Sequence, residues 1–188
     1  MKMISNLPER IFLSGFMGAG KSTLGRILAQ KLERPFEDLD DKIEEKAGKS
    51  IPNIFDKSGE AGFRTVERRA IMDVIRNDEG IIALGGGSLQ NQHLLDHIKL
   101  NGLLVFIETP ISVILDRISG DSNRPLLVDE DGNSKSKEML RQELQALYDD
   151  RLPLYEQAVI KITDDGSGSP EDLVEMLLKK IRNHVEYY

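Results

Sequence analysis

Short apolar runs alternate along the chain with longer stretches whose apolar positions recur at helical spacing. Residues 11–14 read as a strand and 24–32 as a helix. A short strand ends near Asp38. Charged residues dominate 40–49, which reads as a helix, and 60–76 predicts a longer one. Residues 80–84 form an apolar strand that runs into Gly85, Gly86 and Gly87. Another strand, 103–107, is stopped by Thr109 and Pro110. A short helix follows over 112–118 and a long one over 136–157. Pro153 is expected to interrupt the long helix, because proline removes a backbone donor. The last strand is 159–162. The last helix is 170–182, with Ser169 as N-cap and Pro170 at its first position. His184, Tyr187 and Tyr188 are expected to fray.

Strand–helix alternation of this kind predicts an α/β domain spanning 1–188, with a parallel sheet covered by helices on both faces. Ligands of such sheets bind at the carboxyl ends of the strands. Two stretches are poor core material, 40–62 and 119–137. The second is rich in Gly, Ser, Asn, Asp and Lys and reads as a lid, although a plain surface loop has the same composition.

Composition narrows the chemistry. The chain has 188 residues and no cysteine, which excludes disulfides, thiolate metal sites and a cysteine nucleophile. No apolar run approaches the ~20 residues of a membrane span. The N-terminal stretch has no apolar run of signal-peptide length, so a cytoplasmic protein without a membrane partner is expected. A net charge of −7 disfavours a nucleic-acid partner. Any anionic ligand must therefore be met by cations gathered locally.

Residues 15–22, Gly-Phe-Met-Gly-Ala-Gly-Lys-Ser, fit G-x-x-x-x-G-K-[ST] at every fixed position, between a strand and a helix. Glycines let such a loop wrap a phosphate with its N–H groups inward, at the positive end of the following helix. Gly18, Ala19, Gly20, Lys21, Ser22 and Thr23 are the expected phosphate contacts. Lys21 is expected to reach the β- and γ-phosphates, and the Ser22 hydroxyl to ligate Mg²⁺. The chain has no Asn-Lys-x-Asp, which favours ATP over GTP. Asp38 and Asp40, two apart in an extended segment, are expected to face one cleft. Taken alone, a solvated helix cap fits that pair as well. His93 and His97 are four apart on a helical pattern but have no evident third ligand, and are read as a solvated face.

At this point the chain resembles the shikimate kinase family. Residues 36–40, Phe-Glu-Asp-Leu-Asp, are similar to its F-x-D-x-D element. Gly59-Glu60-Ala61-Gly62-Phe63-Arg64 with Glu67 is similar to its G-E-x-x-F-R-x-x-E helix. Gly85-Gly86-Gly87, Arg124-Pro125-Leu126-Leu127 and Arg151-Leu152-Pro153-Leu154-Tyr155 resemble its glycine run, lid motif and late R-x-P-L-Y element. With the phosphate loop, six elements stand in the family's order between residues 15 and 155. The resemblance implies a three-layer nucleoside-monophosphate-kinase-like P-loop fold with five parallel strands in the order 2-3-1-4-5. It implies a substrate-binding subregion at about 39–68 and a lid at about 118–137.

The implied activity is transfer of the γ-phosphoryl group of ATP to the 3-hydroxyl of shikimate, by a monomer, within chorismate and aromatic amino-acid synthesis. Asp40 would hold the acceptor hydroxyl, and Asp38 would act on the Mg²⁺ side. Arg64 and Arg151 would clamp the carboxylate, with Glu67 orienting Arg64. Gly85, Gly86 and Gly87 would offer backbone N–H groups, and Phe55 and Phe63 would line the ring pocket. Arg124 would close over the γ-phosphate, and Arg117 would stack on adenine. One departure stands out: residues 163–167, after the last strand, lack the arginine that the family often carries near adenine. The alternatives are a kinase for another polyol acid such as gluconate, and a nucleotide-binding regulatory module without catalysis.

Overall fold

A computed structural model of the chain describes residues 7–118 and 136–187. Strands β1 (Arg10–Ser14), β2 (Phe36–Asp38), β3 (Gly80–Ala83), β4 (Leu103–Glu108) and β5 (Ile160–Thr163) form one sheet in the order β2-β3-β1-β4-β5. Every pairing is parallel. The fold is thus the expected three-layer α/β P-loop kinase fold.

Alternation along β1 explains the layering. Ile11 and Leu13 face α1 (Lys21–Leu32) and α7 (Pro170–Tyr187), in a core completed by Leu24, Leu28, Val174 and Leu177. Phe12 points to the opposite face. There it joins Ile82, Leu104 and Phe106 under side chains of α3 (Ile51–Asn77), α4 (Gln92–Asn101) and α6 (Lys137–Tyr155). Central strands buried on both faces are near-continuously apolar, as parallel sheets require. β1 pairs with β3 so that Leu13 lies opposite Ala83, and the Leu84 N–H donates to Leu13 O at 3.0 Å. The loops leaving β1 and β3 therefore emerge side by side.

Three expectations need correcting. The helix expected over 60–76 begins earlier: the stretch 40–62 is mostly exposed, as expected, yet α2 (Leu39–Ala47) buries Ile43 there, and α3 starts at Ile51 and buries Ile54. The helical path of α3 breaks at Gly59, whose φ of 64° lies in the left-handed region that glycine tolerates. That break hides the first half of the helix from a periodicity reading. Pro153 does not interrupt α6. It sits in the last turn, where the missing donor removes one bond, and the Glu156 N–H still reaches Leu152 O at 2.9 Å. Nor does α7 stop at residue 182. It continues to Tyr187, with Ile181 buried and Val185 packed on the same core. The expected lid and Arg124 lie outside the described residues.

Candidate active site

The loop between β1 and α1 is shaped by glycines with positive φ. Gly18 (φ 76°) turns the chain, and Gly20 (φ 86°) caps α1. A side chain at Gly15 would strike the backbone of β4 at Ile107 O, 2.5 Å from an added Cβ. The loop is thus pressed onto the sheet and leads into the N-terminus of a 12-residue helix, whose positive end favours an anion. Lys21 folds back and donates from Nζ to Gly15 O (3.1 Å) and Phe16 O (3.0 Å), poised over the loop.

Asp38 joins this loop to the next element. It caps α2 by accepting from the Asp40 N–H (3.1 Å), while its other carboxylate oxygen accepts from Ser22 Oγ at 2.6 Å. Asp38 and Asp40 do line one cavity, but not as neighbours on an extended strand. Asp38 ends β2, and Asp40 sits in the first turn of α2. Burial pushes the Asp40 carboxyl up from 3.8 to about 6; the charge on Asp38 adds to this and Lys21 opposes it. Solvent still reaches Asp40 through the cavity mouth.

That cavity holds about 530 Å³ and gathers Lys21, Ser22, Asp38, Asp40, Phe55, Phe63, Arg64, Glu67, Gly85, Gly86, Gly87 and Arg151. On α3, Glu67 is 3% exposed and accepts from Arg64 Nη1 at 2.7 Å and from Ser88 Oγ at 2.8 Å. Arg64 also donates to Gly87 O (3.2 Å) and pairs with the exposed Glu60 (3.3 Å). The Gly59 break lets Phe55, in the first half of α3, stack on Phe63 in the second, with ring centroids 4.6 Å apart. On α6, Arg151 Nη1 and the Tyr155 hydroxyl both donate to Gly86 O, the first at 3.0 Å. Arg64 and Arg151 each keep a buried Nε with no partner among the described residues.

The glycine run needs its glycines for close approach. An added Cβ at Gly85 would lie 2.9 Å from Asp40 Oδ1. At Gly86 it would lie 2.9 Å from Met17 N of the phosphate loop, and at Gly87 2.8 Å from Arg64 Nη2. None of the three has positive φ.

A second cavity, of about 400 Å³, shares Gly18, Lys21 and Ser22 with the first and runs the other way. Gly20, Thr23, Arg117, Asp164 and Pro170 also line it. Ala19 lies buried beneath the loop. Arg117, at the end of α5 (Ile111–Ile118), pairs with Asp164 at 2.7 Å. Ser88, Tyr155 and Asp164 join these sites without being among the residues expected there. The signals available were position alone: after the glycine run, inside the R-x-P-L-Y stretch, and inside the arginine-free segment. His93 and His97 line a separate shallow groove with Arg68 and Met72. No group of three or more metal-binding side chains occurs among the described residues.

A phosphate cradle that meets an acid- and arginine-lined cavity at one lysine defines an ATP-dependent P-loop kinase. The chain belongs to the shikimate kinase family: the family model described as Shikimate kinase matches residues 17–182. A shikimate kinase from Salinibacter ruber is 37% identical over 180 residues, covering 95% of this chain and 87% of that one. The solved structure of shikimate kinase from Acinetobacter baumannii in complex with shikimate matches with a TM-score of 0.84 and 37% identity, over 96% of each chain. A gluconokinase from Sinorhizobium meliloti matches over 97% of this chain and 96% of that one, with a TM-score of 0.58 at 16% identity, a likeness of fold alone.

Proposed function

We propose that the chain transfers the γ-phosphoryl group of ATP to the 3-hydroxyl of shikimate, giving ADP and shikimate 3-phosphate. The observation that carries this reading is the meeting of the two cavities at Lys21 and Ser22, with Asp40, Arg64 and Arg151 on the acceptor side. The shikimate complex of the Acinetobacter baumannii relative supports the choice of acceptor.

In this mechanism Gly18, Ala19, Gly20, Ser22 and Thr23 hold the nucleotide's phosphates, and Lys21 turns from the loop carbonyls to the β- and γ-phosphates. Arg64 and Arg151 bind the acceptor's carboxylate by guanidinium hydrogen bonds, with Glu67 and Ser88 fixing Arg64. Gly85, Gly86 and Gly87 let the acceptor approach backbone, and Phe55 and Phe63 cover its ring. With a carboxyl titrating at about 6, Asp40 is mostly ionised at neutral pH and accepts the hydroxyl proton as the oxygen attacks phosphorus. The bond from the γ-phosphorus to the β,γ-bridging oxygen breaks, and ADP leaves with the electron pair. Positioning and charge neutralisation then supply most of the acceleration. Arg124 and a lid over 118–137 belong to the same proposal.

Ser22 Oγ and the Asp38 carboxylate, 2.6 Å apart at the phosphate loop, are hard oxygen donors that fit Mg²⁺, which commonly takes few protein ligands and completes its shell with phosphates and water. When bound, Mg²⁺ would neutralise phosphate charge. Cytoplasmic placement and a monomeric state are part of the same reading.

A coupled ADP-release assay across hydroxy acids tests the proposal. Turnover is expected with shikimate and not with gluconate. Turnover with gluconate alone, or nucleotide binding with no acceptor-dependent turnover, would overturn it.

A further inference from the structure

We propose that Asp164 is a positioning residue for nucleotide binding, acting through Arg117, and that the two side chains work only as a pair. The inference rests on the reading that ATP occupies the cavity on the α5–α7 side of the phosphate loop.

Asp164 follows β5 in the segment that lacks a basic residue, yet it is 3% exposed. Its backbone N–H donates to Glu108 O at 2.8 Å, which continues the sheet pairing. One carboxylate oxygen accepts from the Gly166 N–H at 3.0 Å and closes a tight turn. Gly166 has a φ of +81°, and an added Cβ there would press on Val113 of α5. The turn is therefore packed against the helix that carries Arg117. The other oxygen faces Arg117 Nη2 at 2.7 Å. Arg117 Nη1 reaches across to Gly18 O of the phosphate loop at 3.4 Å. The guanidinium thus spans the cavity from the β5–α7 loop to the phosphate loop, held mainly at the Asp164 end.

Charge makes this arrangement consequential. The cavity must admit a polyanion, and a buried carboxylate on its wall repels one. Paired with Arg117, that carboxylate is neutralised and also holds the planar guanidinium in one orientation. Removing Arg117 leaves a bare anion in the wall. Removing only the charge of Asp164 leaves Arg117 attractive but poorly oriented. Losses from the two changes should therefore not add. The double variant should bind nucleotide better than the variant that lacks Arg117 alone.

The test is a double-mutant cycle read by fluorescence titration of N-methylanthraniloyl-ADP, which needs no acceptor. Asp164→Asn keeps an oxygen for the Gly166 N–H and discards the charge, so the turn survives. Asp164→Asn is expected to weaken binding about threefold, and Arg117→Met by more than tenfold. Adding Asp164→Asn to Arg117→Met should recover about three- to tenfold, within the range that coupled contacts show. In steady state, Asp164→Asn should raise KM for ATP and leave KM for shikimate unchanged. Arg117→Gln takes the place of Arg117→Met if thermal melts show the latter unfolded. Wild-type binding by Asp164→Asn, or strict additivity in the cycle, would reduce Asp164 to a turn cap and overturn the proposal. Wild-type ADP binding without shikimate turnover would instead defeat the functional reading and leave the cycle readable.

Discussion

On the nucleotide side, more than half of the residues that line the cavity come from one continuous stretch, 18–24, in the loop and first turn of α1. On the acceptor side they come from side chains on α2, α3 and α6 and from the loop after β3, spread from Asp38 to Arg151. The first half is a conformation and the second a convergence. A backbone cradle is set by a few glycines and a helix end. A convergent cavity depends on each of its elements being docked in place. Single side-chain changes should therefore be graded on the acceptor side, and should separate binding from chemistry there.

The largest effect is expected from Asp40→Asn. Loss of a general base costs roughly 10²–10⁴-fold in kcat, and KM for ATP should hardly move. In the wild type, kcat/KM for shikimate should rise with pH up to about 6 and then level, because the ionised carboxylate is the active form. That limb should vanish in the variant. The stability sign runs the other way. The folded-state pKa lies above the ordinary 3.8, so the proton favours the folded state, and ionisation weakens it as pH climbs from 3.8 to about 6. At pH 7.5 the Asn variant should melt no lower than the wild type. A large drop in Tm there would mark Asp40 as structural.

Lys21→Ala comes next and tests the cradle. Removing a preorganised cation from the transferring phosphoryl group costs about 10²–10³-fold in turnover. ADP affinity should fall much less, because the loop's amides and the helix end remain. Loss of ADP binding to the same extent as turnover would show that Lys21, not the backbone, does the gripping.

How far these two halves could be read from sequence follows from how they are built. The phosphate loop is contiguous, so its spacing alone carries its geometry. The central strands are legible because β1, β3 and β4 are buried along most of their length and carry apolar runs at 11–13, 81–83 and 103–107. Asp38 and Asp40 are legible as a pair two apart, but the geometry that joins them is the cap at α2 and not an extended strand. Ser88 and Tyr155 had no such signal, because their partners lie 21 and 69 residues away, at Glu67 and Gly86. The first half of α3 was hidden for a local reason. Gly59 resets the helical phase, so Ile51, Ile54 and Phe55 do not continue the pattern of Phe63, Glu67 and Ala70.

Arg64 offers a graded test on the acceptor side. A charge-assisted hydrogen bond lost from a binding site is worth about 1.5–3 kcal/mol, so Arg64→Ala should raise KM for shikimate roughly 10- to 100-fold with KM for ATP unchanged. It also strands the buried Glu67 carboxylate with Ser88 alone, so the fold weakens too. The pair Arg64→Ala/Glu67→Gln separates the effects: Tm should recover while KM for shikimate stays high. Recovery of both would make Arg64 a scaffold for Glu67 and nothing more.

The smallest change is Tyr155→Phe, and it asks whether the convergence extends one layer below the cavity. The Tyr155 ring is 2% exposed and stacks on Phe106 with centroids 5.2 Å apart, and phenylalanine keeps that packing. Burial pushes the phenol up to about 12, so it is a neutral donor at any working pH. Its hydroxyl shares Gly86 O with Arg151, four residues earlier on α6. Removing it costs about 1 kcal/mol, which for a chain of this size is roughly 2–4 °C in Tm. If the shared carbonyl only stabilises the fold, both KM values should stay at wild type. If it also holds Arg151 and the glycine turn in register, KM for shikimate should rise about threefold, since a loosened contact of this kind is worth ~0.7 kcal/mol, while KM for ATP does not change. The second outcome is expected, because Gly86 lies between the phosphate loop at Met17 and the guanidinium of Arg151, and any shift there is felt on the acceptor side first.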